Sequence, residues 1–230
     1  MNQPHALQML ALLLKREFLV ERRTFAWAGS MGLLALQAVV ILGLGFSGEG
    51  ASQTKTALAT AALWLAFLFC GTAGMNRAFA QEREGAALTG LLLLPFDAAL
   101  LYLAKVIASL AFLVAALAVI GVAAALFLGL PVFYNAAALL PIIGLAALGY
   151  TAVGTLLAAM TSSLRGRDAL LAIALLPIVV PLFVAATGAA RDVMLGASLE
   201  SVSDELLMLG AFDAIYLATG LLLFEKVLQE

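Results

Sequence analysis

Six stretches of this chain are each long and apolar enough to cross a lipid bilayer as a helix, and no other feature constrains the fold so strongly. They run near Ala26–Phe46, Ala57–Met75, Leu100–Leu128, Ala136–Met160, Ala169–Ala190 and Leu206–Phe224. A helix rises about 1.5 Å per residue, so a hydrocarbon layer of about 30 Å needs about 20 residues. Transmembrane strands would instead read as short alternating segments, a pattern this chain does not show. Composition agrees, with 64% hydrophobic residues and 11% charged ones and a mean hydropathy of +1.11, where a soluble domain carries about 25% charged residues. Too few polar side chains exist to cover a water-facing surface, so lipid must surround most of the molecule. The expected fold is an all-α membrane protein, a single transmembrane domain over residues 1–230.

The basic residues set the expected orientation. Lys15, Arg16, Arg22, Arg23, Arg77, Arg83, Lys105, Arg165, Arg167 and Lys226 fall on one side of the six spans, and only Lys55 and Arg191 on the other. Positive charge marks the cytoplasmic side, which predicts a multi-pass protein of a bacterial cytoplasmic membrane with both termini inside. The net charge of -2 and the absence of a basic block speak against a nucleic-acid partner.

Ahead of the first span, His5–Thr24 is too polar to cross. Leu7, Leu10, Ala11, Leu14 and Phe18 recur at helical spacing, with Gln8, Lys15 and Arg22 on another face. This predicts an amphipathic helix in the interface, its basic residues toward lipid headgroups; an elbow of a transporter and a pre-membrane helix of no special role are both open. The run Met9–Leu14 is followed, not preceded, by basic residues, the reverse of a signal peptide, so the first helices are expected in the mature protein. Outer loops at Ser47–Thr56 and Gly129–Asn135 are short, whereas the acidic loop Arg191–Glu205 has room for a short helix or a docking site.

Residues able to carry chemistry are few. Cys70 is the single cysteine and His5 the single histidine, so neither an intrachain disulfide nor a His or Cys metal cluster can be built. No Gly precedes a Lys, which excludes the phosphate-binding loop of nucleotide-binding proteins. Any ATP that drives this chain must bind another polypeptide. No carboxylate pair is placed for acid-base work, so no enzymatic activity is expected.

Between the second and third spans the chain reads Asn76-Arg77-Ala78-Phe79-Ala80-Gln81-Glu82-Arg83-Glu84-Gly85, and ends in Leu91-Leu92-Leu93-Leu94-Pro95. A charged cluster, a glycine and an apolar run closed by proline predict a helix, a break and a short helix along the membrane surface, since Pro95 disfavours helix at Leu94. Such a piece can plug into a groove on a soluble partner or lie as a solvated loop. Pro177 and Pro181 sit four apart in the fifth span. Each removes a backbone donor, and the freed carbonyls must be satisfied inside the protein, which suits a hinge, a cavity wall or a packing kink. Asp213 lies well inside the sixth span, where a charge costs about 2.5–3.5 kcal/mol. It must face the bundle and either carry a proton or find a Tyr or Thr hydroxyl, in a functional or a structural role. Gly71, Gly74, Gly144, Gly149 and Gly154 are candidates for close helix packing, one face of which could form a dimer contact.

The motif Glu82-Arg83-Glu84-Gly85, with its leucine run and Pro95, resembles the coupling-helix region of type-2 ABC exporter permeases. Leu92-Leu93-Leu94-Pro95-Phe96, Ala104-Lys105, and the Leu175–Ala186 stretch around Pro177 and Pro181 narrow the likeness to the CcmB family. Gly85-Ala86-Ala87 departs from that family, which more often has Gly-Ser or Gly-Thr and then an acidic residue. The resemblance implies a permease subunit of a cytochrome c maturation ABC transporter, concerned with haem export or the ATP-dependent release of a haem-loaded chaperone. It implies that Glu82, Arg83, Glu84, Gly85, Leu92, Leu93, Leu94 and Pro95 contact a separate CcmA-like ATPase. It also implies CcmC-like and CcmD-like membrane subunits, a CcmE-like chaperone and a homodimer of permeases. Haem would be cargo, with ATP held by the partner and no cofactor bound directly. A permease for a lipid, drug or polysaccharide and a non-conducting membrane scaffold are the alternatives.

Overall fold

A computed structural model describes residues 6–23, 52–78, 98–128, 135–162 and 166–229, with residues 37, 41 and 164 singly. The described residues form six α-helices and one short 3-10 turn, with no strand among them. In chain order the helices are α1 (Ala6–Arg23), α2 (Ser52–Ala78), α3 (Ala98–Leu128), α4 (Ala136–Thr161), α5 (Arg167–Met194) and α6 (Ser203–Gln229), and the turn is Leu199–Val202. Five of them, α2 to α6, are long and apolar enough to cross a membrane. The chain is therefore a multi-pass, all-helical membrane protein in its described part. The expected first span, Ala26–Phe46, apart from residues 37 and 41, and the segment Glu82–Pro95 lie outside the described residues.

Helix α4 is the post around which α2, α3, α5 and α6 gather. Its sequence explains this position. Small residues alternate with large ones along Gly149-Tyr150-Thr151-Ala152-Val153-Gly154-Thr155, all buried, and small residues let helix backbones approach closely where no water-driven attraction operates between helices. Two of the glycines make those approaches. A side chain at Gly149 would run into α5 and α6, and one at Gly154 would meet the Met75 side chain 2.7 Å away on α2, whereas Gly144 faces open space. Thr151 and Thr161 return their hydroxyls to carbonyls of their own helix, at 2.9 Å to Ala147 and 2.9 Å to Leu157.

Large rings fill the space opposite those small residues. Trp64 and Phe67 of α2, Tyr150 of α4 and Phe183 of α5 form one cluster with ring centroids 5.2–6.0 Å apart, mostly edge to face, the geometry favoured by the ring quadrupole. Cys70 is a buried free thiol in the same core. Gly166, at φ +75, turns the chain from α4 into α5, a conformation that costs a side-chain-bearing residue more. Asn135 caps the opposite end of the bundle by donating from Nδ2 to the Val193 carbonyl at 2.7 Å. The loop expected over Arg191–Glu205 is shorter than read from sequence, because α5 continues to Met194 and the 3-10 turn opens α6. It does contain a short helical turn.

Helix α1 packs along α3, and it is turned relative to the face read from sequence spacing. Leu10, Leu13, Leu14 and Glu17 lie on the half-buried side, while Ala11, Leu12, Phe18 and Leu19 are exposed. The reason is electrostatic: Glu17 reaches a lysine inside the bundle.

Candidate functional site

That lysine is Lys105, on the second turn of α3. It is 1% exposed, and its Nζ stands 3.5 Å from Glu17 Oε2, while Arg16 sits 3.4 Å from the other Glu17 oxygen. A buried ammonium must keep a counter-charge, because removing an ion from water costs several kcal/mol before any pairing (about that per ion). Phe18 and Phe112, with centroids 5.2 Å apart, extend the same α1–α3 contact by ring packing. Counting Lys105 among charges on one side of the membrane did not anticipate its burial. The signal was the α1 face carrying an acid next to its apolar row.

One turn earlier, Tyr102 joins α3 to two more helices. Its hydroxyl donates to the Ala152 carbonyl of α4 at 3.1 Å and, more weakly, toward the Tyr216 carbonyl of α6 at 3.4 Å. The ring is fully buried, lies directly on Gly220 of α6, where a Cβ would collide with it, and packs on Phe224 at 5.2 Å. Two successive turns of α3 thus hold α1, α4 and α6. These turns follow Pro95 closely in the chain.

Asp213 lies at the α4–α6 contact. It is 4% exposed, and its carboxylate rests on Gly149, beside Leu182 of α5 and its own neighbour Phe212. Neither carboxylate oxygen has a hydrogen-bond partner among the described residues. The Tyr or Thr hydroxyl anticipated for it is absent there: Tyr150 shares its hydroxyl with Thr72 at 2.8 Å, and Thr151 and Thr219 bond their own helices.

Pro177 and Pro181 both lie on the exposed side of α5, which runs unbroken as helix through them. Next to them an open groove of about 700 Å³ runs between α2 and α5, walled by Trp64, Leu68, Val179, Phe183 and Thr187 and ending at Arg191. Arg191 is held there by Asp192 at 2.8 Å. A smaller, nearly apolar cavity of about 270 Å³ lies between α2, α3 and α4 and shares Trp64 and Phe67. The structure does not bring Asp213 to the groove wall. Glu82, Arg83, Glu84, Gly85, Leu92, Leu93, Leu94 and Pro95 fall outside the described residues.

The arrangement holds an apolar bundle with joints and grooves, without a cluster of nucleophiles, acids or ligands in its described part. Its sequence pattern matches that of the CcmB protein family over residues 8–226. The chain belongs to the CcmB family. It is 32% identical over 216 residues to heme exporter protein B of Pseudomonas aeruginosa, a match that covers 91% of each chain. The CcmB match includes α1 from Gln8 onward and every described span, so the α1–α3 joint is part of the family's own domain.

Proposed function

We propose that this chain is the membrane permease subunit of an ABC transporter acting in cytochrome c maturation, where it exports haem or drives release of a haem-loaded chaperone. The observation that carries the reading is the end-to-end match to heme exporter protein B, 91% of each chain, in a protein built of membrane-crossing helices. A bundle with no phosphate-binding loop needs its ATPase elsewhere, so a separate CcmA-like subunit docks on Glu82–Pro95. CcmC-like and CcmD-like subunits and a CcmE-like chaperone complete the assembly, with two permeases as a homodimer. Ala26–Phe46 supplies a sixth span, and the charge bias places both termini and the docking segment in the cytoplasm of a bacterial inner membrane. Pro177 and Pro181 serve as a hinge in α5, and Asp213 as a polar point in the moving bundle. Haem is cargo, not a resident cofactor.

Deletion of the gene should abolish haem-stained c-type cytochromes, and a plasmid copy should restore them. Glu82→Lys or Glu84→Lys should leave the permease in the membrane and uncouple it from ATP hydrolysis. Normal maturation in the deletion strain would refute the reading.

A further inference from the structure

The first two turns of α3 hold more separate elements by polar contact than any other stretch of comparable length described above. Lys105 reaches α1 through Glu17, and Tyr102 reaches α4 and α6 through two carbonyls. These contacts differ from the apolar packing around them in one mechanical respect. Shifting apolar faces in lipid costs van der Waals packing but no hydrophobic burial. A buried ion pair and a buried hydroxyl bonded to main-chain carbonyls cannot shift without stranding a charge or a donor. Gly220 adds a steric key, since the Tyr102 ring occupies the space where a side chain would stand.

We propose that Tyr102 and Lys105 are positioning residues that bind α1, α4 and α6 to the base of α3, so that these four helices move as one body when the transporter works. Helix α1 is then a working arm of the permease and not a passive surface anchor. Helices α2 and α5 meet this body through apolar and aromatic packing and through the Thr72–Tyr150 bond at 2.8 Å and the Asn135–Val193 bond at 2.7 Å. This rests on the proposed transport function, and its test does not require ATP hydrolysis to be measured.

Three tests decide it, each read as haem-stained cytochrome c per unit of permease in the membrane of otherwise intact cells. Tyr102→Phe keeps the ring on Gly220 and Phe224 and removes only the hydroxyl; output should fall about ten-fold, within the range of a single coupling interaction, at unchanged permease abundance. Lys105→Glu should fall at least as far, and Glu17→Lys with Lys105→Glu should return to within about two-fold of wild type, the scatter expected of additive effects. In a Cys70→Ala background, a short bismaleimide bridge between Phe18→Cys and Phe112→Cys should leave output within about two-fold of the unbridged protein, because α1 and α3 need not move apart. Full output from Tyr102→Phe, no recovery in the charge-swapped protein, or loss of output on bridging would each overturn the proposal. If the wild-type complex hydrolysed no ATP, the docking role of Glu82–Pro95 would fall while these three readouts kept their meaning.

Discussion

Among the described residues, one basic and one acidic side chain are buried in this bundle, and their surroundings are opposite. Lys105 is 1% exposed and has a carboxylate 3.5 Å away on another helix. Asp213 is 4% exposed and has no hydrogen-bond partner for either oxygen among the described residues. The first stabilises the join it belongs to. The second raises the energy of the packing that encloses it. A charge with a partner marks a place where the bundle is held, and a polar group without one marks a place where static stability has been given up. Such local inconsistency is expected where function requires it. Aromatic packing around Tyr150 and Phe183 mixes the two kinds: its one hydroxyl is satisfied through Thr72, while the buried Trp64 indole nitrogen has no hydrogen-bond partner among the described residues.

The contrast can be broken most forcefully at Gly149. Gly149→Leu would drive a side chain into the Asp213 carboxylate, Phe212 and Leu182, parting α4 from α6 at a cost of about 3 kcal/mol. Detergent-solubilised protein should lose its cooperative thermal transition, and retention of the wild-type midpoint would mean that the two helices are not in contact there. Glu17→Ala attacks the held end. It should cost about 2 kcal/mol, below the full penalty of a broken buried pair because Glu17 is 17% exposed and also faces Arg16. Faster proteolysis of the amino-terminal helix in membranes is the expected signature.

Asp213→Asn should have the opposite sign. The amide is the same size and carries no charge, so the midpoint should rise by the equivalent of about 1–2 kcal/mol, while cytochrome c maturation falls. Unchanged maturation would leave Asp213 with no role in transport, and a lower midpoint would reveal a partner for it in the assembled complex. The smallest effect is expected for Thr72→Val, which strands the Tyr150 hydroxyl and should cost about 0.6 kcal/mol, the average of hydrogen bonds between membrane helices. An effect several times larger would move the Tyr150 cluster into the class of Lys105.

Much of the architecture was legible in the residues. Five of the apolar stretches correspond to α2 to α6, whose ends coincide with the expected limits at Leu128 and Ala136 and elsewhere lie one to five residues beyond them, because helices continue past the hydrocarbon layer into polar flanks such as Arg167-Asp168 and Glu225-Lys226. The family likeness rested on Leu92–Phe96 and Leu175–Ala186, and the match over residues 8–226 bears it out. The burial of Asp213 was also legible, since a carboxylate cannot face lipid cheaply. Its lack of a hydroxyl partner was not, because Thr151 and Thr219 bond their own helices and Tyr150 bonds Thr72 of α2. Lys105 shows the same limit from the other side. In the sequence it counted only as one of the charges on one side of the spans, and nothing local names Glu17, 88 positions away in the chain, as its counter-charge.

Length, apolar run and charge bias therefore determine from sequence alone that the chain crosses a membrane as helices, because lipid leaves a backbone no other way to satisfy its hydrogen bonds. The tertiary structure alone decides which helices are tied together. Apolar faces in lipid are nearly interchangeable, so pairing is settled by a few close approaches and polar contacts, at Gly149, Gly220, Tyr102 and Lys105, whose partners lie far off in the chain.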